Sequence, residues 1–146
     1  MLRVRAVEAG DAAALARLCS QLGYPAEPAD MPARIAQLQR DSGASALVAY
    51  DGDSVVGMIT THVRHTMNHP APIAQITLLV VDETRRRSGV GRILVEAAED
   101  WARLCGCKRI VVTTALQRAG AHAFYERLAY AHTGRRYGKD FVTGEH

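Results

Sequence analysis

The sequence predicts an α/β protein of the mixed α+β kind: a central mixed β-sheet with helices on both faces, in the order β-α-α-β-β-β-α-β-α-β. Three observations lead there. Residues 46–50 and 54–63 are strand-length apolar runs joined through Asp51-Gly52, a strong hairpin signal. Residues 78–81, Leu-Leu-Val-Val, are apolar on both faces and run into a glycine turn that opens a long amphipathic helix. A β-branched run at 109–114 follows that helix, and such a strand–helix–strand unit pairs its strands in parallel.

Each element has its own signal. Residues Leu2 to Val7 alternate as a first strand does. Gly10-Asp11 caps a helix with apolar positions Leu15, Leu18, Cys19 and Leu22; Gly23 ends it and Pro25 keeps it from resuming. Asp30 and Pro32 start a shorter helix carrying Ile35 and Leu38. The hairpin strands follow, then a loop from His65 to Pro72 broken by Asn68 and two prolines, then a strand from Ile73 to Val81. From Ser88 to Cys105 one stripe holds Val90, Ile93, Leu94, Ala97, Trp101, Leu104 and Cys105, and Gly106 closes that helix. A strand is expected from Arg109 to Thr114, and a helix from Gln117 to Leu128 with Ala121, Phe124 and Leu128 inward. One or two closing strands are expected between Ala131 and Val142. No repeat or linker divides the chain, so residues 1–146 are read as one domain.

Composition narrows the function. The chain has 146 residues, 48% apolar and 23% charged, ordinary values for a soluble globular domain. The N-terminus has no signal-peptide core, and the longest apolar run is far too short to span a membrane. Cys19, Cys105 and Cys107 fit neither a zinc site nor a disulfide framework, so reduced thiols in a cytoplasm are expected and no metal is. A net charge of +3 suits a protein that binds a polyanionic small molecule and is too weak to indicate nucleic acid.

The most informative stretch is 79–91, Leu-Val-Val-Asp-Glu-Thr-Arg-Arg-Arg-Ser-Gly-Val-Gly. A strand feeding a glycine turn at a helix N-terminus gathers unpaired backbone N–H groups in one place, and the helix dipole adds roughly half a positive charge. Arg85, Arg86 and Arg87 add full charges. This is a site for a multiply charged anion, most simply a pyrophosphate. A Walker phosphate loop does not explain it: Gly52 and Gly57 have the glycine spacing, but Met58 stands where lysine is required. A dinucleotide turn fails because Leu94 occupies the third glycine position.

The pattern Arg86-x-x-Gly89-x-Gly91, with Leu79-Val80-Val81-Asp82 directly upstream and Ala121-x-x-Phe124-Tyr125-Glu126-Arg127-Leu128-Ala129-Tyr130 downstream, resembles the GCN5-related N-acetyltransferases. The resemblance runs from the first strand to about Tyr137. Arg118 and His122 are similar to the branch that includes aminoglycoside-acetyltransferase-like proteins. It implies an acyl-CoA N-acyltransferase fold with acetyl-coenzyme A as co-substrate. It further implies that the backbone from Arg86 through Arg87, Ser88, Gly89, Val90 and Gly91 to Arg92 cradles the pyrophosphate. By the same resemblance the 79–81 strand, Leu79, Val80 and Val81, grips the pantetheine arm, with the Leu79 N–H as donor to the thioester oxygen. Arg85, Arg87 or Arg92 would reach the 3′-phosphate, and Arg118, Ala121 and Phe124 border the cofactor. Tyr125 takes the position of the general acid.

The reaction implied is direct transfer of acetyl to a primary amine of a small molecule, aminoglycoside-like or otherwise, or of a peptide. A free alkylamine has a pKa near 10.4, so holding it neutral at pH 7 costs about 4–5 kcal/mol unless a base or the site assists. Many members of the family supply a glutamate on the strand before Leu79. Here the nearest residue is Gln75, which takes no proton, and His62, His65 and His69 are the other candidates. Tyr24, His62 and Gln75 are candidate substrate contacts. Ala129 replaces the glycine that ends the last helix in the family; a left-handed alanine costs on the order of 1 kcal/mol. Two rival readings stay open: a non-catalytic acetyl-coenzyme A sensor, motivated by Gln75, and, less well supported, a nucleic-acid module using Arg85–Arg87 and Arg135-Arg136. A homodimer is a candidate assembly.

Overall fold

A computed structural model of the chain describes residues 1–113, 119–134 and 136–141. These fall into two compact units, Met1–Val112 and Thr113–His146, each taken by itself here. The first unit contains β1 (Leu2–Ala6), α1 (Ala12–Gln21), α2 (Met31–Arg40), β2 (Ala44–Asp51), β3 (Ser54–Arg64), β4 (Ile73–Val81), α3 (Val90–Leu104) and β5 (Arg109–Val112). The second contains α4 (Ala119–Arg127). The sheet order is β1-β2-β3-β4-β5, antiparallel up to β4 and parallel between β4 and β5, which is the mixed sheet expected.

Period-2 alternation sends the sheet's side chains to two faces. One face carries Val48, Met58 and Val80, which pack with Leu15, Leu18, Met31 and Ile35 of α1 and α2. On the other lies α3. Its approach is set by Gly57: a Cβ there would stand 2.8 Å from Val90 Cγ1, 3.0 Å from Leu94 Cδ1 and 3.1 Å from the Val80 carbonyl oxygen. Only a residue without a side chain lets the N-terminal turn of α3 sit this close to β3 and β4.

The buried face of α3 is Val90, Leu94, Val95, Ala98 and Ala102. This corrects the expected stripe. Leu104 is 88% exposed and Cys105 is exposed, while Ile93, Ala97 and Trp101 are half-buried. Val90, Leu94 and Val95 fill the N-terminal part of this face and Ala98 and Ala102 continue it, while Ile93, Ala97 and Trp101 lie on its flanks.

Three helices end in the same hydrogen-bonded closure. Tyr24 N–H donates to the Cys19 carbonyl and Gly23 N–H to that of Ser20; Cys107 donates to Ala102 and Gly106 to Arg103; Tyr130 donates to Tyr125 and Ala129 to Glu126. The turning residue has φ of 102° at Gly23, 84° at Gly106 and 70° at Ala129. The last is an alanine in left-handed conformation, the case in which it carries a steric cost.

The expected closing strands do not form among the described residues, since 131–134 and 136–141 have no strand partner. Tyr137 and Phe141, the strand-favouring residues there, are 89% and 87% exposed. A strand draws its stability from cross-strand neighbours, and this stretch, punctuated by Gly134 and Gly138, has none.

Two stability outcomes are expected. Gly57→Ala overpacks the α3 contact and lowers unfolding free energy by about 1–3 kcal/mol. Ala129→Gly relieves the left-handed alanine and raises it by about 1 kcal/mol. Urea denaturation of the two variants beside the parent measures both.

Candidate active site

The site of interest in the first unit begins where β4 loses a neighbour. β4 pairs with β5 only through Ile73, Ala74, Gln75 and Ile76, opposite Arg109–Val112. Beyond Ile76, β4 continues to Val81 with β3 alone beside it among the described residues. The direction of its main-chain groups follows from the register. Asp82 N–H donates to the Val56 carbonyl at 2.8 Å, and the register places these two residues opposite each other. Hydrogen-bonded and non-hydrogen-bonded pairs alternate along an antiparallel ladder. Val80, opposite Met58, therefore spends its N–H and C=O on β3. Leu79 and Val81, opposite Ile59 and Gly57, turn theirs to the open side. The Val80 side chain is in the core, so of the three strand residues it is the one with nothing to offer a ligand.

The turn that follows is rigidly tied. Asp82 is 7% exposed and accepts from the Thr84 N–H and hydroxyl, each at 3.0 Å, and from Arg17 Nη1 of α1 at 3.0 Å. The Thr84 N–H, foremost, and then its hydroxyl and Arg17 hold the Asp82 carboxyl below the usual aspartate range, against the effect of burial. Arg17 also donates to the Val55 carbonyl, and Gln21 accepts from the Glu83 N–H. Arg85, one of the three arginines considered for the 3′-phosphate, pairs with Asp51 at 2.9 Å. The Ser88 hydroxyl donates to the Arg85 carbonyl. Arg17 and Gln21 are the members of this network that motif spacing did not single out. Arg17 and Gln21 are four apart on the polar side of α1, a signal that marks a shared face without saying what meets it.

Anchored this way, the turn presents an uncapped helix end. Arg87 has φ of 65° and Gly89, the N-cap of α3, has φ of 89° with no side-chain cap. The Gly89 carbonyl takes the Ile93 N–H at 3.1 Å, so the ladder starts there and the earlier amides precede it. Arg86, Arg87, Ser88 and Gly89 are exposed, and Arg86 and Arg87 have no ion-pair partner among the described residues. Arg92 is exposed and reaches Glu96 at 3.3 Å. A left-handed bend followed by free amides and the positive end of α3 is a geometry suited to an anion. A groove of about 450 Å³ on the α1 side of the turn, lined by Ala13, Arg17, Asp53, Asp82 and Arg85 among others, lacks that character, because its two arginines are already neutralised by Asp82 and Asp51.

The remaining sequence candidates are placed as follows. Gln75 is half-buried and lies opposite His62 in the β3–β4 ladder. His65 and His69 are exposed in the β3–β4 loop, with His69 Nδ1 2.9 Å from the Thr66 hydroxyl. Tyr24 is 63% exposed just after α1. Arg118 and Arg135 lie outside the described residues. No cluster of three or more His, Cys, Asp or Glu side chains that could hold a metal occurs among the described residues. No described helix is long and apolar enough to cross a membrane.

In the second unit, Tyr125 of α4 is 8% exposed, with edge-on ring contacts to Phe124 at 5.1 Å and Tyr130 at 5.6 Å. Ala121 and Phe124 are half-buried. Burial pushes the Tyr125 phenol up to about 12. It therefore stays protonated at neutral pH and is a donor, never a base. Complete transfer of its proton to a thiolate of pKa about 8.5 would be uphill by roughly 5 kcal/mol. Hydrogen-bond donation to developing negative charge is the chemistry this environment favours.

Known proteins resemble this chain in sequence and in fold. Residues 12–130 match the sequence profile described as the acetyltransferase (GNAT) family. An aminoalkylphosphonate N-acetyltransferase of Salmonella typhimurium is 34% identical over 92 residues, covering 63% of this chain and 60% of that enzyme. An aminoglycoside N(6')-acetyltransferase type 1 of Acinetobacter haemolyticus is 27% identical, covering 66% of this chain and 69% of that enzyme. Among solved structures, a protein described as a transcriptional regulator from Bacillus halodurans C-125 superposes with a TM-score of 0.90 at 23% identity, covering 97% of this chain and all of that one. AAC(6')-Iy, in complex with the bisubstrate analog CoA-S-monomethyl-acetylneamine, superposes at 0.84 with 18% identity, covering 97% and 99%.

Acid sensitivity of the fold is expected from two of its depressed carboxylates. Asp11 is held low chiefly by Arg5, which donates to both its oxygens at 2.9 Å, and Asp82 by Thr84. A depressed folded value favours the ionised form in the native state. The stabilisation is thus complete above the ordinary value of about 3.9 and is lost as pH falls through the folded values. Urea midpoints should decline steeply below pH 4, and Asp82→Asn should be less stable at pH 7 with a shallower decline.

Proposed function

Because the chain belongs to the acetyltransferase (GNAT) family, we propose that it moves an acetyl group from acetyl-coenzyme A to a primary amine of a small molecule or peptide by direct attack. The observation that carries this is the conjunction at the end of β4: Leu79 and Val81 turn amide and carbonyl groups to an open edge, and that edge leads into an uncapped, left-handed turn at the start of α3. An extended pantetheine arm with two amides fits the first as an added strand would, and a pyrophosphate fits the second. The residues present suit the group. Backbone N–H groups from Arg86 to Arg92 would receive the diphosphate, with Arg86 and Arg87 as its exposed countercharges. Arg118, Ala121 and Phe124 are assigned to the cofactor on the motif they share with the family.

Acetyl-coenzyme A supplies the activated acyl group as a thioester. The chain's own contribution is twofold. The Leu79 N–H donates to the carbonyl oxygen as charge builds on it, a role worth roughly 3–4 kcal/mol when a donor is preorganised. The Tyr125 phenol donates to the departing sulfur. The acceptor amine must lose a proton, which Gln75 cannot take. The family profile runs from residue 12 to 130, across the boundary between the two compact units, which supports one acyltransferase domain built from both. The three free cysteines accord with a cytoplasmic location, and self-pairing as a homodimer belongs to the same reading.

The relatives' names suggest two acceptor classes for this chain, aminoalkylphosphonates and aminoglycosides. A panel of both, with amino acids and polyamines, assayed by thiol release from acetyl-coenzyme A, is expected to show turnover with at least one class. Cofactor binding with no thiol release above background for any amine would favour the sensor instead. With an acceptor in hand, Tyr125→Phe keeps the ring packing and removes the hydroxyl. It is expected to lower kcat about 100-fold with little change in the KM for acetyl-coenzyme A.

A further inference from the structure

A polar cluster interrupts the apolar face of the sheet one turn of the ladder before Leu79. The register between β3 and β4 slips at Thr60 and Thr61: Thr60 is opposite Leu78, Thr61 is opposite Ile76, and Thr77 is the extra residue of a bulge. Bulges re-aim a side chain. Here the Thr77 hydroxyl lies 2.7 Å from the Thr60 hydroxyl, 3.2 Å from the Thr60 carbonyl and 3.2 Å from His62 Nδ1.

The protons in this cluster can be counted. A threonine hydroxyl has one proton to give, and a carbonyl oxygen can only accept. With the Thr77 proton directed to the Thr60 carbonyl, the one partner of the three that can only accept, the Thr77 oxygen is an acceptor toward both other neighbours and His62 donates through Nδ1–H. Holding the proton on Nδ1 leaves Nε2 as the basic nitrogen. Nε2 has no hydrogen-bond partner among the described residues. An imidazole oriented through Nδ1 and basic at Nε2 is the arrangement a general base requires.

We propose that His62 is the catalytic base of the acetyl transfer and that Thr77 is the residue that positions it. This rests on the acetyltransferase reading above. Thr77 is two residues from Leu79, roughly 7 Å along the strand, so the imidazole it holds is within reach of an amine approaching a thioester carbonyl at Leu79, directly or through one water. His62 Nε2 takes one proton from the substrate ammonium and releases it to solvent. The neutral nitrogen forms the bond to the acyl carbon, the C–S bond breaks, and the second proton lost by nitrogen ends on sulfur. The balance is one ammonium and one thioester in, one amide, one thiol and one proton out. His62 faces Ala44 on β2 and Gln75 on β4, with Arg64 two along its own strand, so no carboxylate lies opposite it in the described sheet.

Two measurements test this, one of them independent of activity. Long-range ¹H–¹⁵N NMR of the resting protein is expected to show His62 protonated at Nδ1; an Nε2–H tautomer overturns the assignment. In the thiol-release assay, His62→Gln is expected to lower kcat/KM about 100-fold and abolish the rising limb of its pH profile, with the dissociation constant for coenzyme A within twofold of the parent. Thr77→Val should lower kcat about tenfold and Thr77→Ser should restore most of it. Turnover by His62→Gln within threefold of the parent, with the pH profile intact, overturns the proposal and leaves the acetyltransferase reading standing. A parent protein that neither binds coenzyme A nor releases thiol defeats that reading instead, and the tautomer still decides the proton count at His62.

Discussion

Among the described residues, backbone hydrogen bonds at the end of β4 have nowhere to go within the sheet, and this deficit organises the rest of the site. Every amide and carbonyl removed from water needs a partner, and an edge with two outward-facing residues followed by an uncapped helix leaves several without one. Proteins usually cover such an edge or blunt it. Here β5 stops pairing at Ile76, α3 starts on a glycine that offers no cap, and the outward groups of Leu79 and Val81 have no partner among the described residues. A ligand with two amides and a diphosphate supplies complementary groups in the same order along its length.

Holding that arrangement open requires rigidity around it. Gly57 lets α3 approach until its first turn lies beside the end of β4, which brings the helix dipole to the place where the strand's partners run out. Asp82 and Asp51 fasten the connecting turn to α1 and to the β2–β3 hairpin, using Arg17 and Arg85. Those two arginines are consumed in building the site, and Arg86 and Arg87 are the ones left exposed beside it. A run of three arginines thus divides into one structural residue and two facing solvent, a division set by which of them lies opposite Asp51.

Much of this was legible in the sequence because it is periodic or punctuated. The hairpin at Asp51-Gly52, the helix ends at Gly23 and Gly106, and the glycine turn at 89–91 each follow from a local rule, and each is present. The outward parity of Leu79 and Val81 follows from the two-residue repeat once a single hydrogen bond, Asp82 to Val56, fixes its phase. What sequence did not reveal depends on three-dimensional encounters. The buried face of α3 runs from Val90 and Leu94 on through Ala98 and Ala102 and leaves Leu104 exposed, an orientation that only the contact with the sheet decides. The bulge at Thr77 leaves no trace in hydrophobic alternation, so nothing in the linear order joined Thr60, His62 and Thr77. Arg17 could be assigned to a polar helix face, but only the fold shows Asp82 opposite it. The closing strands were expected from composition, yet Tyr137 and Phe141 stand exposed without a partner strand among the described residues.

The central claim is that main-chain amides around Gly89 bind the diphosphate of the acyl carrier. Amide ¹H–¹⁵N spectra recorded during titration with coenzyme A, and separately with pantetheine, test it at the atoms concerned. The account predicts large shifts for Gly89, Val90, Gly91 and Arg92 with coenzyme A and almost none for these four with pantetheine, while Leu79 and Val81 respond to both. Saturating coenzyme A that leaves the Gly89 and Gly91 amides where they were would contradict it.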